Sequence, residues 1–75
     1  MTLRDDLDAE LVNCGGWLLT RAECVCYLVN NGVEHEGAVH TAYAARRVTE
    51  AQAARWDPNL TGYVNAVAGT LLENV

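Results

Sequence analysis

The sequence predicts an all-α domain, a compact bundle of four or five short helices, on the basis of three observations. Capping boxes occur at Thr20–Glu23 and Thr49–Gln52; in this motif a hydroxyl and the side chain three residues later satisfy the first N–H groups of a helix. Apolar residues recur at helical spacing, and no stretch alternates convincingly like a strand. A chain of 75 residues is expected to form one domain, residues 1–75.

The first two helices are predicted from residues that typically start and end a helix. Helix one is expected to start at Thr2 and to continue to the glycine pair at residues 15 and 16, because Leu3, Leu7 and Leu11 follow one another at i, i+4 spacing. Helix two is expected to run from the capping box at Thr20 to the stop signal at residues 30–32. It is apolar on most sides, which is typical of a central core helix.

The remaining helices follow the same logic. A third helix is expected from Glu34 to the Arg46-Arg47 pair, whose cations suit a helix C-terminus. The capping box at Thr49 opens a short fourth helix, and Asp57 with Pro58 is expected to start the last helix directly. The apolar stripe of that last helix comprises Leu60, Val64, Val67, Leu71 and Val75.

The cysteines and histidines predict no metal and no cofactor. Three cysteines are an odd number and form no disulfide framework, so we expect free thiols in a cytoplasmic protein. Cys24 and Cys26 are two residues apart on a helix and point about 200° away from each other, so they cannot face one metal ion. Free cysteine usually behaves as a small core hydrophobe.

The composition argues against an enzyme and against general nucleic-acid binding. The formal net charge is −5, with five arginines and no lysine. An acidic chain gains no overall attraction from phosphates, so any DNA contact would have to come from local arginines. No residue pattern combines an activated nucleophile with a base, and no glycine-rich phosphate loop is present. No membrane-spanning run occurs.

One segment resembles a known family. Leu19-Thr20, Glu23-Cys24, Tyr27-Leu28 and Gly32-Val33 resemble the first helix and turn of excisionase-type helix-turn-helix domains. The resemblance covers residues 19–46, and it implies that the helix from Glu34 to Arg47 is a recognition helix. Three residues intervene before Gly32, two carboxylates open the implied recognition helix, and no β-wing is predicted after it.

The sequence therefore leaves three functions open. We favour a small non-enzymatic protein-interaction or regulatory module, such as a phage or mobile-element accessory protein that binds a partner protein. Its candidate partner-binding residues are Arg46, Arg47, Arg55 and Trp56 on one side and Asp5, Asp6, Asp8 and Glu10 on the other. The alternative is a helix-turn-helix DNA-binding regulator that uses His40, Thr41, Arg46 and Arg47, with a homodimer reading paired half-sites. The third is a structural subunit of a phage particle.

Overall fold

The fold is mixed α and β, so the predicted all-α class is wrong. The computed structural model describes residues 7–73, with the side chains of residues 7–69. Within that range lie a two-stranded antiparallel sheet, four α-helices and a short 3-10 helix. The strands are β1 (Leu11–Cys14) and β2 (Trp17–Thr20); the helices are α1 (Arg21–Asn30), α2 (His35–Ala44), α3 (Glu50–Ala54) and α4 (Tyr63–Glu73), and the 3-10 helix is Pro58–Leu60.

A β-hairpin stands where the second half of the first predicted helix was expected. Gly15 and Gly16 have φ angles of 60° and 97°, as in the type I′ turns that join two strands without splaying them. Such angles suit glycine because it has no Cβ. The register pairs Cys14 with Trp17 across the turn. The glycine pair therefore closes a hairpin instead of ending a helix, and the predicted start at Thr2 lies outside the described residues.

Backbone from later in the chain covers both edges of the hairpin. Arg47 forms an antiparallel bridge with Val12 of β1, and Thr61 forms a parallel bridge with Leu18 of β2. The N–H of Gly62 also donates to the carbonyl of Leu18 at 3.1 Å. An exposed strand edge is a template for pairing with other chains, and these bridges occupy part of each edge.

The capping box at Thr20 is confirmed. Its hydroxyl accepts from the N–H of Glu23 at 3.1 Å, and the Glu23 carboxylate accepts from the N–H of Thr20 at 3.0 Å. Helix α1 ends in a Schellman turn, in which Val33 N donates to Leu28 O and Gly32 N donates to the carbonyl of residue 29. Helix α1 is less central than predicted, because the side chains of Ala22, Cys26 and Val29 are exposed.

A buried arginine holds the C-terminus of α2. Arg21 is 7% exposed. Its Nη1 donates to the carbonyls of Ala42 and Ala45 at 2.8 Å each, and its Nε donates to Glu10 Oε1 at 2.9 Å. The last carbonyls of a helix lack partners within the helix, and Arg21 supplies them from the start of α1. One side chain thus joins the segment before β1, α1 and α2.

The Arg46-Arg47 pair does not cap this helix, which corrects the sequence-based expectation. Helix α2 ends at Ala44, and its C-cap residue Ala45 has extended backbone angles. The two arginines follow in an extended segment, where Arg47 pairs with β1. The cap that their charge suggested is supplied by Arg21 instead.

The last third of the chain follows the prediction in part. The capping box at Thr49 is confirmed, and Gln52 returns the hydrogen bond at 3.0 Å. Asp57 caps the 3-10 helix and not α4, because Gly62, with φ of 97°, interrupts the helical path before Tyr63. The last helix therefore begins later than predicted.

The core consists mainly of small side chains. Its buried members include three alanines, two cysteines and three larger aliphatic residues: Ala38, Ala42, Ala66, Cys14, Cys24, Val12, Leu18 and Leu19. Helix α4 contributes Ala66, whereas Val64 is 79% exposed and Leu60 is 40% exposed. The predicted apolar stripe is therefore not the buried face where the side chains are described; Leu71 and Val75 lie outside that range. No helix in residues 7–73 is both long and apolar enough to cross a bilayer.

Replacing Arg21 by methionine tests the buried pair. The Arg21→Met change leaves the Glu10 carboxylate and two backbone carbonyls without their donor. Because Glu10 is 28% exposed, the loss follows the scale of hydrogen bonds to a charged group, about 1.5–3 kcal/mol. We expect a loss of that order in the free energy of unfolding, measured by urea titration. Arg55→Met is the matched control, because Arg55 is exposed and such surface changes stay within about 0.5 kcal/mol. Equal stability of the two variants would contradict the role given to Arg21.

Two helical glycines are expected to respond oppositely to alanine. A Cβ at Gly69 would lie 2.9 Å from Cζ2 of Trp17, whereas a Cβ at Gly37 would lie 3.7 Å from its nearest neighbour, in Val33. Gly37→Ala should stabilise the protein by about 0.5–1 kcal/mol through helix propensity. Gly69→Ala should destabilise it by about 1 kcal/mol, because the overpacking outweighs the same gain. Thermal unfolding of both variants measures the difference; a stabilised Gly69→Ala protein would refute the close contact with Trp17.

Candidate functional site

The candidate functional site is a pocket between the hairpin, the segment after α2, and α3. Its volume is about 290 Å³, and it is lined by Asn13, Arg46, Arg47, Val48, Gln52 and Trp56. We call it the basic pocket. It brings together three of the predicted partner-binding residues, Arg46, Arg47 and Trp56. The fourth, Arg55, is exposed but does not line it.

The arginine wall is fixed by the sheet. Arg47 bridges to Val12, and the next residue, Val48, donates its N–H to the carbonyl of Leu11 at 2.7 Å. The backbone that carries both guanidinium groups is therefore tied to β1. Both arginines are exposed, and neither forms an ion pair with any residue whose side chain is described.

The walls formed by Trp56, Asn13 and Gln52 are fixed by hydrogen bonds, and the two amide side chains keep their NH2 groups available as donors. The Trp56 indole donates from Nε1 to the carbonyl of Gly16 at 3.2 Å, which ties the end of α3 to the hairpin turn. The amide oxygen of Asn13 accepts from Gly16 N at 2.8 Å, and that of Gln52 accepts from Thr49 N at 3.0 Å. In both amides the oxygen is occupied, while the NH2 group has no hydrogen-bond partner among residues 7–69.

A larger neighbouring groove has a different character. It measures about 800 Å³ and shares Arg47 and Val48 with the basic pocket, but it also includes Glu10 and Glu50. Its charge is therefore mixed, whereas the lining of the basic pocket contains no carboxylate. An anionic group is attracted to the smaller pocket, although the larger one offers more space.

Two residues of the predicted acidic surface, Asp8 and Glu10, lie within the described range, and both are half-buried. Glu10 is the salt-bridge partner of Arg21. Asp8 is half-buried, and its Oδ1 has no hydrogen-bond partner among the described residues. Asp5 and Asp6 lie outside the described range. Glu10 therefore contributes to the fold through Arg21, and the partner-binding role of the acidic cluster stays a prediction.

The residues of the DNA-binding hypothesis are divided between two places. His40 and Thr41 are exposed on α2, while Arg46 and Arg47 line the basic pocket. Helix α2 packs on α1 through Ala38 and Ala42, both fully buried. Helices α1 and α2 are thus two consecutive helices packed against each other, and their use as a helix-turn-helix stays a prediction. A hairpin precedes it along the chain.

Asn13 and Gln52 were not predicted as site residues. Asn13 lies in the hairpin that the sequence analysis assigned to a helix, and Gln52 was interpreted only as a capping residue. The signal that would have found Asn13 is Gly15-Gly16 between two four-residue runs, a two-residue hairpin loop. No local signal marks Gln52 as a pocket residue, because its role in the capping box does not reveal which other segments of the chain lie next to it.

A pair of buried thiols lies beside this site. Cys24 donates a hydrogen bond to the sulfur of Cys14, with 2.9 Å between the two Sγ atoms, and both residues are buried. Burial, together with that hydrogen bond and the charge that Cys24 can carry, raises the pKa of Cys14 from 9.0 to about 12. All three cysteines carry free thiols, and Cys26 is exposed. Within the described residues no histidine, cysteine or carboxylate cluster could hold a metal ion.

The raised pKa of Cys14 predicts a loss of stability at alkaline pH. The unfolded thiol ionises near pH 9, and the folded thiol ionises only near 12. This contribution is therefore fully present below pH 9 and is lost as pH rises toward 12, because the unfolded chain releases its proton first. In the presence of a reductant, wild-type protein should lose more unfolding free energy between these values than Cys14→Ala. Cys26→Ala, at an exposed position, should match wild type; identical slopes for all three proteins would contradict this assignment.

The basic pocket is interpreted from the chemistry of its lining. No protein-family model, no curated protein and no solved structure matches this chain. The pocket lining combines two guanidinium groups, two side-chain amides and an indole. Guanidinium and amide N–H groups recognise carboxylate and phosphate oxygens, so the pocket is suited to an anionic ligand that also presents an apolar surface.

Proposed function

We propose that the protein is a non-enzymatic interaction module that binds an acidic segment of a partner protein in the basic pocket. The observation that carries the proposal is the pairing of Arg46 and Arg47 beside Trp56, in a pocket without a carboxylate. The role follows from the physical chemistry of these side chains. It also agrees with a phage or mobile-element accessory protein that acts in the cytoplasm.

The pocket's residue types suit a protein ligand. Arginine forms two parallel hydrogen bonds with a carboxylate, which adds direction to the attraction. Tryptophan and arginine are enriched among the residues that dominate binding energy at interfaces. Trp56 is half-buried, so part of its ring is available to an apolar side chain of the ligand. The preferred ligand is therefore a peptide segment in which aspartate or glutamate adjoins an apolar residue.

The rest of the chain favours a protein segment over a DNA duplex. The net charge of −5 opposes a polymer with closely spaced phosphates more strongly than a short peptide. At the N-terminus of α2, the N-cap residue Glu34 and the first-turn residue Glu36 are exposed where a recognition helix enters the groove. A carboxylate at that position repels phosphates, so the helix pair is poorly suited to DNA despite its shape.

No catalytic role is part of this proposal. The lining of the basic pocket includes no serine, cysteine or histidine that could act as a nucleophile or as a general base. Its polar side chains are hydrogen-bond donors, arranged to hold an anion.

The helix-turn-helix hypothesis remains the second candidate because α1 and α2 pack as a pair joined by a tight turn. His40 and Thr41 are available on the exposed face of α2. In this case Arg46 and Arg47 would contact phosphates, and a homodimer would add a second set of contacts. Both candidate functions use Arg46 and Arg47, but only DNA binding also requires the exposed residues of α2.

Fluorescence anisotropy with two probes tests the proposal. One probe is a short fluorescein-labelled peptide of alternating glutamate and leucine; the other is a labelled mixed-sequence DNA duplex. We expect the peptide to bind. Arg46→Ala or Arg47→Ala should weaken binding about tenfold or more each, since a hydrogen bond to a charged group contributes about 1.5–3 kcal/mol. Arg55→Ala is the matched control, because it removes the same charge outside the pocket and should change affinity less than twofold.

Each other outcome has a definite meaning. If the duplex binds instead, with affinity that falls steeply with salt and is reduced by His40→Ala as well as by the arginine variants, the helix-turn-helix hypothesis replaces the proposal. If Arg55→Ala weakens peptide binding as much as Arg46→Ala, the attraction is general and the pocket has no special role. A peptide with glutamine in place of glutamate should not bind.

A further inference from the structure

We propose that Cys14 and Cys24 form a reversible intramolecular disulfide that links β1 to α1 under oxidising conditions. Three features of the structure lead to this proposal: the distance between the sulfurs, their separation from the third cysteine, and the position of the pair beneath the hairpin turn. It is independent of what the basic pocket binds.

The distance is the first argument. The two Sγ atoms are 2.9 Å apart, which is only about 0.9 Å more than the length of a disulfide bond. The sulfurs already point at each other, because the Cys24 thiol donates its hydrogen bond to Cys14. A small adjustment of the side chains is enough to bring them to bonding distance.

The third cysteine is excluded by geometry. Cys26 lies on α1 with Cys24, two residues further on, and residues at that spacing point about 200° apart around a helix. Cys24 is 2% exposed, whereas Cys26 is exposed. Cys26 therefore does not compete for either sulfur of the pair within the same molecule.

The reaction needs a small two-electron oxidant, and we assign this part to hydrogen peroxide. One sulfur attacks a peroxide oxygen, the O–O bond breaks, and the departing hydroxide takes a proton to become water, which leaves a sulfenic acid. The second sulfur then attacks the sulfenic sulfur, the S–O bond breaks, and the hydroxide that leaves takes the second thiol proton as water. Two thiols and one peroxide thus give one disulfide and two waters.

The environment makes this reaction slow. Burial keeps Cys14 protonated at neutral pH because it raises the pKa to about 12, and the thiolate is the reactive form. Peroxide is nonetheless small, and a local opening of the hairpin turn, whose glycines are exposed, would admit it to the pair. We therefore expect oxidation over hours, and ready reversal by dithiothreitol once the protein opens.

The bond would tie down one wall of the site. Cys14 follows Asn13 and precedes the turn whose Gly16 carbonyl accepts from Trp56. Oxidation would add a covalent link between this turn and α1, where the contact is now a hydrogen bond between thiols. A closed loop of this size is expected to raise the thermal midpoint by roughly 10 °C or more.

The test uses the purified full-length protein and its Cys26→Ser variant. Each is reduced, freed of reductant and exposed to hydrogen peroxide, and the thiols are then counted with a maleimide after denaturation. We expect Cys26→Ser to fall from two reactive thiols to none. Wild type should lose at least the same two thiols, because peroxide also oxidises the exposed Cys26. The oxidised Cys26→Ser protein should be two hydrogens lighter, monomeric, and should melt at higher temperature until dithiothreitol is added.

Peptide mapping assigns the bond. Cleavage after arginine separates residues 5–21, which contain Cys14, from residues 22–46, which contain Cys24. The oxidised Cys26→Ser variant should yield these two peptides joined, and the reduced sample should yield them apart. Persistence of both thiols in Cys26→Ser under peroxide, oxidation beyond the disulfide, or dimers between molecules would overturn the proposal. The Cys26→Ser variant changes only an exposed side chain, so it is expected to fold like wild type, and its loss of thiols reports on the buried pair.

Discussion

The fold depends on the buried guanidinium of Arg21. This side chain occupies the first residue of α1, and it contacts Glu10 before β1 and two carbonyls at the end of α2. The backbone of the same residue donates to the carbonyl of Glu10 at 2.9 Å, which continues the hairpin ladder by one step. A charge buried to this degree is tolerated only when its hydrogen bonds are satisfied. The positions of the hairpin, α1 and α2 are thereby coupled through one residue.

The extended segment at residues 46–48 follows from this coupling. Because Arg21 satisfies the end of α2, the chain can leave the helix at Ala45 with extended angles and pair with Val12. The same departure places the two arginines beside the hairpin instead of at the end of a helix. The basic pocket is therefore a consequence of how α2 is terminated, and its walls are in place before any ligand arrives.

The sequence predicted the parts of the fold that depend on local chemistry. Both capping boxes, at Thr20 and Thr49, occur as expected, since they involve only residues three positions apart. The hairpin was missed because Leu3, Leu7 and Leu11 share helical spacing and a glycine pair can end a helix as well as join two strands. What favours the strand pairing is tertiary: later segments of the chain bridge to both edges of the hairpin.

In the candidate site, too, some residues were predictable from the sequence and others depend on tertiary contacts. Residue type alone pointed to Arg46, Arg47 and Trp56, and these three residues share a pocket. Arg55 adjoins Trp56 in sequence yet stays outside the lining, because a turn at the end of α3 separates neighbours that a linear motif groups together. Asn13 enters the pocket through the hairpin, and only the three-dimensional pairing of β1 with residue 47 brings it there.

In a chain this small, the polar contacts of Arg21 and the contact between the two thiols contribute a large share of the stability. The core holds three alanines and two cysteines among its buried side chains, so apolar burial contributes less than in a core of leucines and phenylalanines. The hairpin is instead fixed by the Arg21 pair, by bridges at both edges and by the contact between two thiols. Binding in a pocket with walls fixed this way requires little reordering of the protein, so more of the contact energy contributes to affinity.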